Sequence, residues 1–147
     1  MKSLSHPFHK LSPLGLYYEK VLHPTLERVV GESLTKTSDC MDQMDFEGKT
    51  CFVEVKSRGD QYHYSQWFIK KDGWVLPTCK ITRAKQEVAA GKRVFFFYFW
   101  RADKSLWVWE YTEGGVLGCR EEYPQWHHDQ QKQTFIPEQN WKRVFIS

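Results

Sequence analysis

Val94 to Trp100, VFFFYFW, is an unbroken run of seven aromatic or β-branched residues. It is too short for a substantial helix and has no polar face, so it predicts a strand buried on both sides at the centre of a sheet. Such a strand needs a packed layer above it and another below it, which narrows the architecture to a layered one. Arg101 to Lys104 then turn the chain, and Leu106 and Val108 alternate with Trp107, Trp109 and Tyr111 on a following strand. A hairpin is expected there.

Helices capable of covering such a sheet are visible on its amino-terminal side. Ser12-Pro13 forms a cap and first-turn pair, and Leu14, Tyr17, Tyr18 and Val21 recur behind it at helical spacing. Pro24 is expected to kink or end this helix, with Leu26, Val29 and Val30 continuing a second piece up to a stop at Gly31. Met41 to Phe46, a turn at Glu47-Gly48, and Thr50 to Lys56 predict a β-hairpin. Gly73 to Leu76 reads as a short strand, and Pro77-Thr78 opens a helix that carries Ile81, Ala84 and Val88 on one face and ends at Gly91. The succession of helix, hairpin, strand, helix and hairpin predicts an α/β fold with a mixed sheet.

At 147 residues the chain fits one domain, residues 1–147, in which 112–147 form an aromatic-rich carboxy-terminal extension that packs back onto the rest. Hydrophobic residues make up 41% and charged residues 27%, and no apolar run has the length of a bilayer span, so no membrane partner is expected. Met1 to Lys10 has no apolar leader-like core, which leads to the expectation of an intracellular protein, cytoplasmic or nuclear. Cys40, Cys51, Cys79 and Cys119 are scattered without metal-ligand spacing and are expected as reduced thiols. Between Glu54 and Lys104, eleven Lys/Arg stand against five Asp/Glu, a basic concentration compatible with a polyanion such as nucleic acid.

The chemistry lies in Asp39 to Arg58, DCMDQMDFEGKTCFVEVKSR. Residues two apart on a strand share a face, so Glu54 and Lys56 point the same way while Val55 points into the opposite layer. With a two-residue turn at Glu47-Gly48, Phe46 pairs with Lys49, and odd-numbered residues of the first strand share the face of Glu54. Asp45 is then the first choice for a second carboxylate, and Asp42 the alternative if a bulge shifts the parity. Two carboxylates on one face suit a hard cation such as Mg²⁺. A bound cation of that kind polarises a phosphoryl oxygen and acidifies water, while the adjacent ammonium orients that water or offsets developing negative charge.

An acid followed by Glu54-Val55-Lys56, on a hairpin behind an amino-terminal helix, resembles the PD-(D/E)XK nuclease superfamily. Within that class, FVEVKSR resembles junction resolvases and small viral or phage nucleases. The resemblance covers about residues 12 to 111 as an order of elements, and Met44 stands where the superfamily motif has proline. It implies a restriction-endonuclease-like α-β-β-β-α-β core and Mg²⁺- or Mn²⁺-dependent hydrolysis of DNA, inside a host cell if the origin is viral. Carried over by position, it makes Asp45 and Glu54 metal ligands, adds the Val55 carbonyl, makes Lys56 the catalytic lysine, and gives Glu19 the role of an acidic residue on the first helix. Lys80, in the stretch L-P-T-x-K, resembles a lysine at the start of the helix after the ExK strand in related viral nucleases.

Arg58, Lys80, Arg83 and Lys85 are candidate phosphate contacts. His127-His128-Asp129 has no third ligand at a defined spacing and reads as loop, and the tryptophans read as core more than as base-stacking platforms. With no room for a separate sequence-reading domain, specificity is expected from DNA structure, an end, a homodimer or a partner protein. The rival readings are a non-catalytic nucleic-acid-binding module on the same fold and an intracellular protein-interaction domain whose acid and lysine cluster is an ion-pair network.

Overall fold

The computed structural model describes residues 13–37, 44–58, 74–122 and 132–146. In chain order its elements are α1 (Pro13–Val30), β1 (Thr35–Lys36), β2 (Phe46–Glu47), β3 (Cys51–Arg58), β4 (Trp74–Pro77), α2 (Thr78–Ala89), β5 (Arg93–Trp100), β6 (Ser105–Glu110), β7 (Arg120–Glu122), β8 (Gln133–Ile136) and β9 (Lys142–Val144). The main sheet has six strands in the order β1-β2-β3-β5-β6-β9. Every neighbouring pair in it is antiparallel except β3 and β5, which run parallel from Cys51↔Arg93 to Arg58↔Trp100. The protein is thus α/β with a mixed sheet, as expected. No described helix is long and apolar enough to cross a membrane.

The aromatic run becomes β5, and every residue from Val94 to Trp100 is buried. Its side chains alternate between two cores. Phe95, Phe97 and Phe99 pack with Leu22, Leu26 and Val30 of α1, while Val94, Phe96, Tyr98 and Trp100 pack with Trp74, Ile81, Ala84 and Trp141. One helix therefore covers one face, and α2 covers the other together with a second sheet of order β4-β8-β7. That small sheet is a departure from expectation, because the short strand at Trp74 pairs with Gln133–Ile136 and not with the main sheet. The extension after residue 112 supplies β7 and β8 to the small sheet and β9 to the edge of the large one, so it is built into both.

Helix α1 differs from expectation in two ways. It runs unbroken through Pro24, because the anchors Leu22, Leu26 and Val30 on either side of the proline are buried against the sheet. Their burial offsets the roughly 3 kcal/mol that an interior proline costs. Leu14, Tyr17 and Val21 are exposed, although their spacing predicted the buried stripe. The sheet takes the neighbouring stripe of Tyr18, Leu22, Leu26 and Val30, which continues apolar to the end of the helix. Gly31 and Gly91, at φ +84° and +93°, end α1 and α2 in the left-handed region where glycine is favoured.

The hairpin forms, with its turn displaced. Gly48 N–H donates to Cys51 O at 2.8 Å, and Phe46 pairs with Val53, so Lys49-Thr50 is the turn instead of Glu47-Gly48. Glu32 holds it from outside, accepting the Thr50 N–H at 2.8 Å, and a Cβ at position 48 would overlap that carboxylate.

Trp74 joins the two sheets, with its ring against Tyr98, Trp100, Trp107 and Trp141. Trp74→Ala is expected to lower the unfolding free energy by about 3–5 kcal/mol in urea melts. A loss below about 1 kcal/mol would show that the small sheet is not part of the cooperative core.

Candidate functional site

Strand β3 presents Glu54 and Lys56 on the same face as Phe52, toward α2, while Val53 and Val55 enter the α1 core. Moving the hairpin turn from Glu47-Gly48 to Lys49-Thr50 slides the pairing by an even number of residues, so parity is preserved. Asp45, one step beyond the Phe46↔Val53 pair, consequently lies opposite Glu54, and its Oδ2 accepts the Val55 N–H at 2.7 Å. The alternative acid, Asp42, lies outside the described residues.

Two further elements close on this pair. Glu19, buried on α1, lies close enough to Asp45 for the two carboxyls to shift one another, and its Oε1 lies 3.3 Å from Lys36 Nζ on β1. Lys80, in the first turn of α2, is 8% exposed and places Nζ 3.4 Å from Glu54 Oε1. The result is a row, Lys36–Glu19–Asp45–Glu54–Lys80, with Lys56 beside Glu54 on the strand. Four of the predicted residues, Glu19, Asp45, Glu54 and Lys56, are thus brought together.

Lys80 departs from the expected surface role, since it is turned inward onto Glu54. Lys36 was not foreseen, because a two-residue strand is too short to leave a periodicity to read. The remaining basic candidates are spread more widely. Arg58 donates from Nε to the Tyr98 hydroxyl at 2.9 Å, Arg83 is engaged by Glu87 at 2.6 Å, and Lys85 is exposed on α2. The His127-His128-Asp129 segment lies outside the described residues, whereas Trp100 and Trp109 are buried in the core.

Burial dominates the electrostatics of the row. It raises Glu19 to about 7, with the Asp45 charge adding to the rise and Lys36 opposing it. It raises Asp45 against the Val55 N–H and the two flanking lysines. Glu54 is raised well above the ordinary carboxylate value by burial and then by Asp45, against the pull of Lys80. Lys56 is lowered to about 8 by burial and by the nearby Arg58, although Glu54 and Asp45 favour its charged form. A lysine that changes charge near neutral pH beside two acids can both carry a positive charge and hold or release a proton.

Among the described residues, no group of three His, Cys, Asp or Glu side chains is drawn tightly enough to hold a metal ion as it stands. The donor set nevertheless suits a hard cation, being all carboxylate oxygen. The buried Oε1 atoms of Glu19 and Glu54 each face a lysine ammonium, at 3.3 and 3.4 Å, and accept no well-aligned hydrogen bond.

Glu19 yields a pH dependence of stability. Between its ordinary value of 4.5 and about 7, the folded chain binds more protons than the unfolded chain, so stability falls as pH rises through that window. In chelator, the melting temperature is expected to be higher at pH 5 than at pH 7.5, by on the order of 5 °C. Glu19→Gln should raise it at pH 7.5 and flatten the slope, and an unchanged slope would place the proton elsewhere in the row.

No protein-family model matches this chain, and neither a curated protein nor a solved structure matches it significantly.

Proposed function

We propose that the chain is a metal-dependent nuclease of the PD-(D/E)XK type that hydrolyses DNA phosphodiester bonds, selecting DNA structure or ends in preference to sequence. The observation that carries this reading is the convergence of the half-buried Asp45, Glu54 and Lys56 in one row, joined by the buried Glu19 from the first helix. The order α1, β1 to β3, α2, β5 supports it, since it follows the α-β-β-β-α-β succession of the superfamily with β4 diverted into the second sheet.

Asp45 and Glu54, with Glu19 and the Val55 carbonyl as further oxygen donors, would hold Mg²⁺ or Mn²⁺, which supplies Lewis-acid polarisation of the phosphoryl oxygen and acidifies water. The rest falls to the chain itself. The Val55 N–H fixes the Asp45 carboxylate, and the rigid β3 ladder fixes Glu54 against it. Lys56 Nζ, held near 8, orients the attacking water and offsets negative charge gathering on the phosphorus-bound oxygens. Arg58, braced by Tyr98 at the end of the same strand, would offer a guanidinium to an adjacent phosphate.

A second reading is favoured by the pairing of Lys36 with Glu19 and Lys80 with Glu54, which suits an ion-pair network in an interaction domain. Buried charge is a costly way to stabilise a fold, because desolvation often exceeds the attraction, and this weighs toward a site.

Cleavage of labelled single-stranded, duplex and four-way-junction DNA with Mg²⁺ or Mn²⁺ tests the proposal. Glu54→Ala and Lys56→Ala are each expected to reduce cutting by about 10²–10⁴-fold while the variants remain folded. Binding without cutting on every substrate would favour a non-catalytic module, and neither binding nor cutting would favour the interaction domain.

A further inference from the structure

Lys36 and Lys80 belong to no part of the acid and lysine motif on the hairpin, yet they stand at the two ends of the row. Each faces an oxygen that lacks a hydrogen bond: Lys36 Nζ is 3.3 Å from Glu19 Oε1 and Lys80 Nζ is 3.4 Å from Glu54 Oε1. Glu19 is 5% exposed, so water satisfies that oxygen poorly, and an ammonium at ion-pair distance supplies the missing positive charge. The lysines come from β1 and α2, which lie on either side of the hairpin in the chain, so the carboxylates are neutralised by elements that the motif itself does not include.

We propose that Lys36 and Lys80 are built-in counter-ions that occupy the acidic row in the cation-free chain, and that a divalent cation binds there only by displacing them. The proposal rests on the nuclease reading in taking these carboxylates as cation donors. An ammonium and a divalent cation compete for the same oxygens, and both lysines have long, flexible stems. From the same position Lys36 Nζ also lies 3.4 Å from Thr37 O and 5.7 Å from the centre of the Phe46 ring, so Glu19 is one of several partners that hold it. Displacement turns two ammonium groups away from carboxylates and leaves them beside the site, where an anionic polymer would lie. The cation would then both complete the row and raise the affinity of its surroundings for phosphate.

Calorimetric titration with Mg²⁺, and paramagnetic titration with Mn²⁺, test this without nucleic acid. Lys36→Met and Lys80→Met are each expected to bind the cation about tenfold more tightly than the parent chain, because a competitor has been removed. Lys80→Arg keeps the competing charge and should show no gain, and Lys85→Met, on the exposed side of the same helix, should match the parent. Thermal melts give a second readout: added Mg²⁺ should raise the melting temperature of the Met variants by more than that of the parent. A Met variant that unfolds alone and folds in Mg²⁺ also supports the proposal, and one that stays unfolded in Mg²⁺ removes it for that lysine. Cation binding to the parent that neither Met variant tightens overturns the counter-ion role and leaves the nuclease reading intact. No cation binding in any of the proteins overturns both.

Discussion

The burial of β5 on both faces is the constraint from which the rest of the structure follows. A strand with Phe95, Phe97 and Phe99 on one side and Phe96, Tyr98 and Trp100 on the other cannot lie at an edge or face water. Strand neighbours and two covering layers are both required. The parallel pairing with β3 forces a crossover between the two strands, and α2 lies within it. That crossover carries Lys80 back over the face on which Glu54 points. The location of the candidate site is thus a consequence of how the aromatic strand is covered.

The row also explains its own exposure to competing demands. Asp45, Glu54 and Glu19 are held too close and too dry for all three to be comfortably ionised, and the lysines around them only partly relieve this. A purely structural network of this kind is often no less stable when apolar side chains of similar volume replace it. What the charged version offers is a pair of groups, Glu19 at about 7 and Lys56 at about 8, that change charge close to neutral pH. The rigid neighbours, the Val55 amide and the β3 ladder, hold the groups in place while their charge changes.

Much of this was legible in the chain because strands alternate with a period of two. Glu54 and Lys56 could be assigned to one face from spacing alone. Asp45 stayed on the face of Glu54 through a displaced turn because the displacement was even. The burial of β5 and the extent of α2 followed from unbroken apolarity and from helical periodicity ended by glycine. Other features had no local signal. Which of two overlapping apolar stripes on α1 would be buried depended on the shape of the sheet, so Leu14, Tyr17 and Val21 were misplaced. Pairing of Trp74–Pro77 with residues more than fifty positions later is a long-range choice that short-range pattern does not encode. Lys36 and Lys80 reach the acids for the same reason, through tertiary packing.

The carboxy-terminal strands set the order in which the molecule can be assembled. Residues up to Glu110 contain the aromatic strand and most of its sheet, but one face of that sheet is roofed by Ile136 and Trp141, and its edge is closed by β9 at Lys142–Val144. Arg28 at the end of α1 also donates to the Phe145 carbonyl, so even the first helix is fastened by the last described residues. During synthesis, the most aromatic stretch of the chain therefore emerges well before its covering does. A growing chain must keep VFFFYFW out of contact with other chains for the time taken to make some forty more residues. Its translation speed and its access to chaperones thereby become part of what determines its yield.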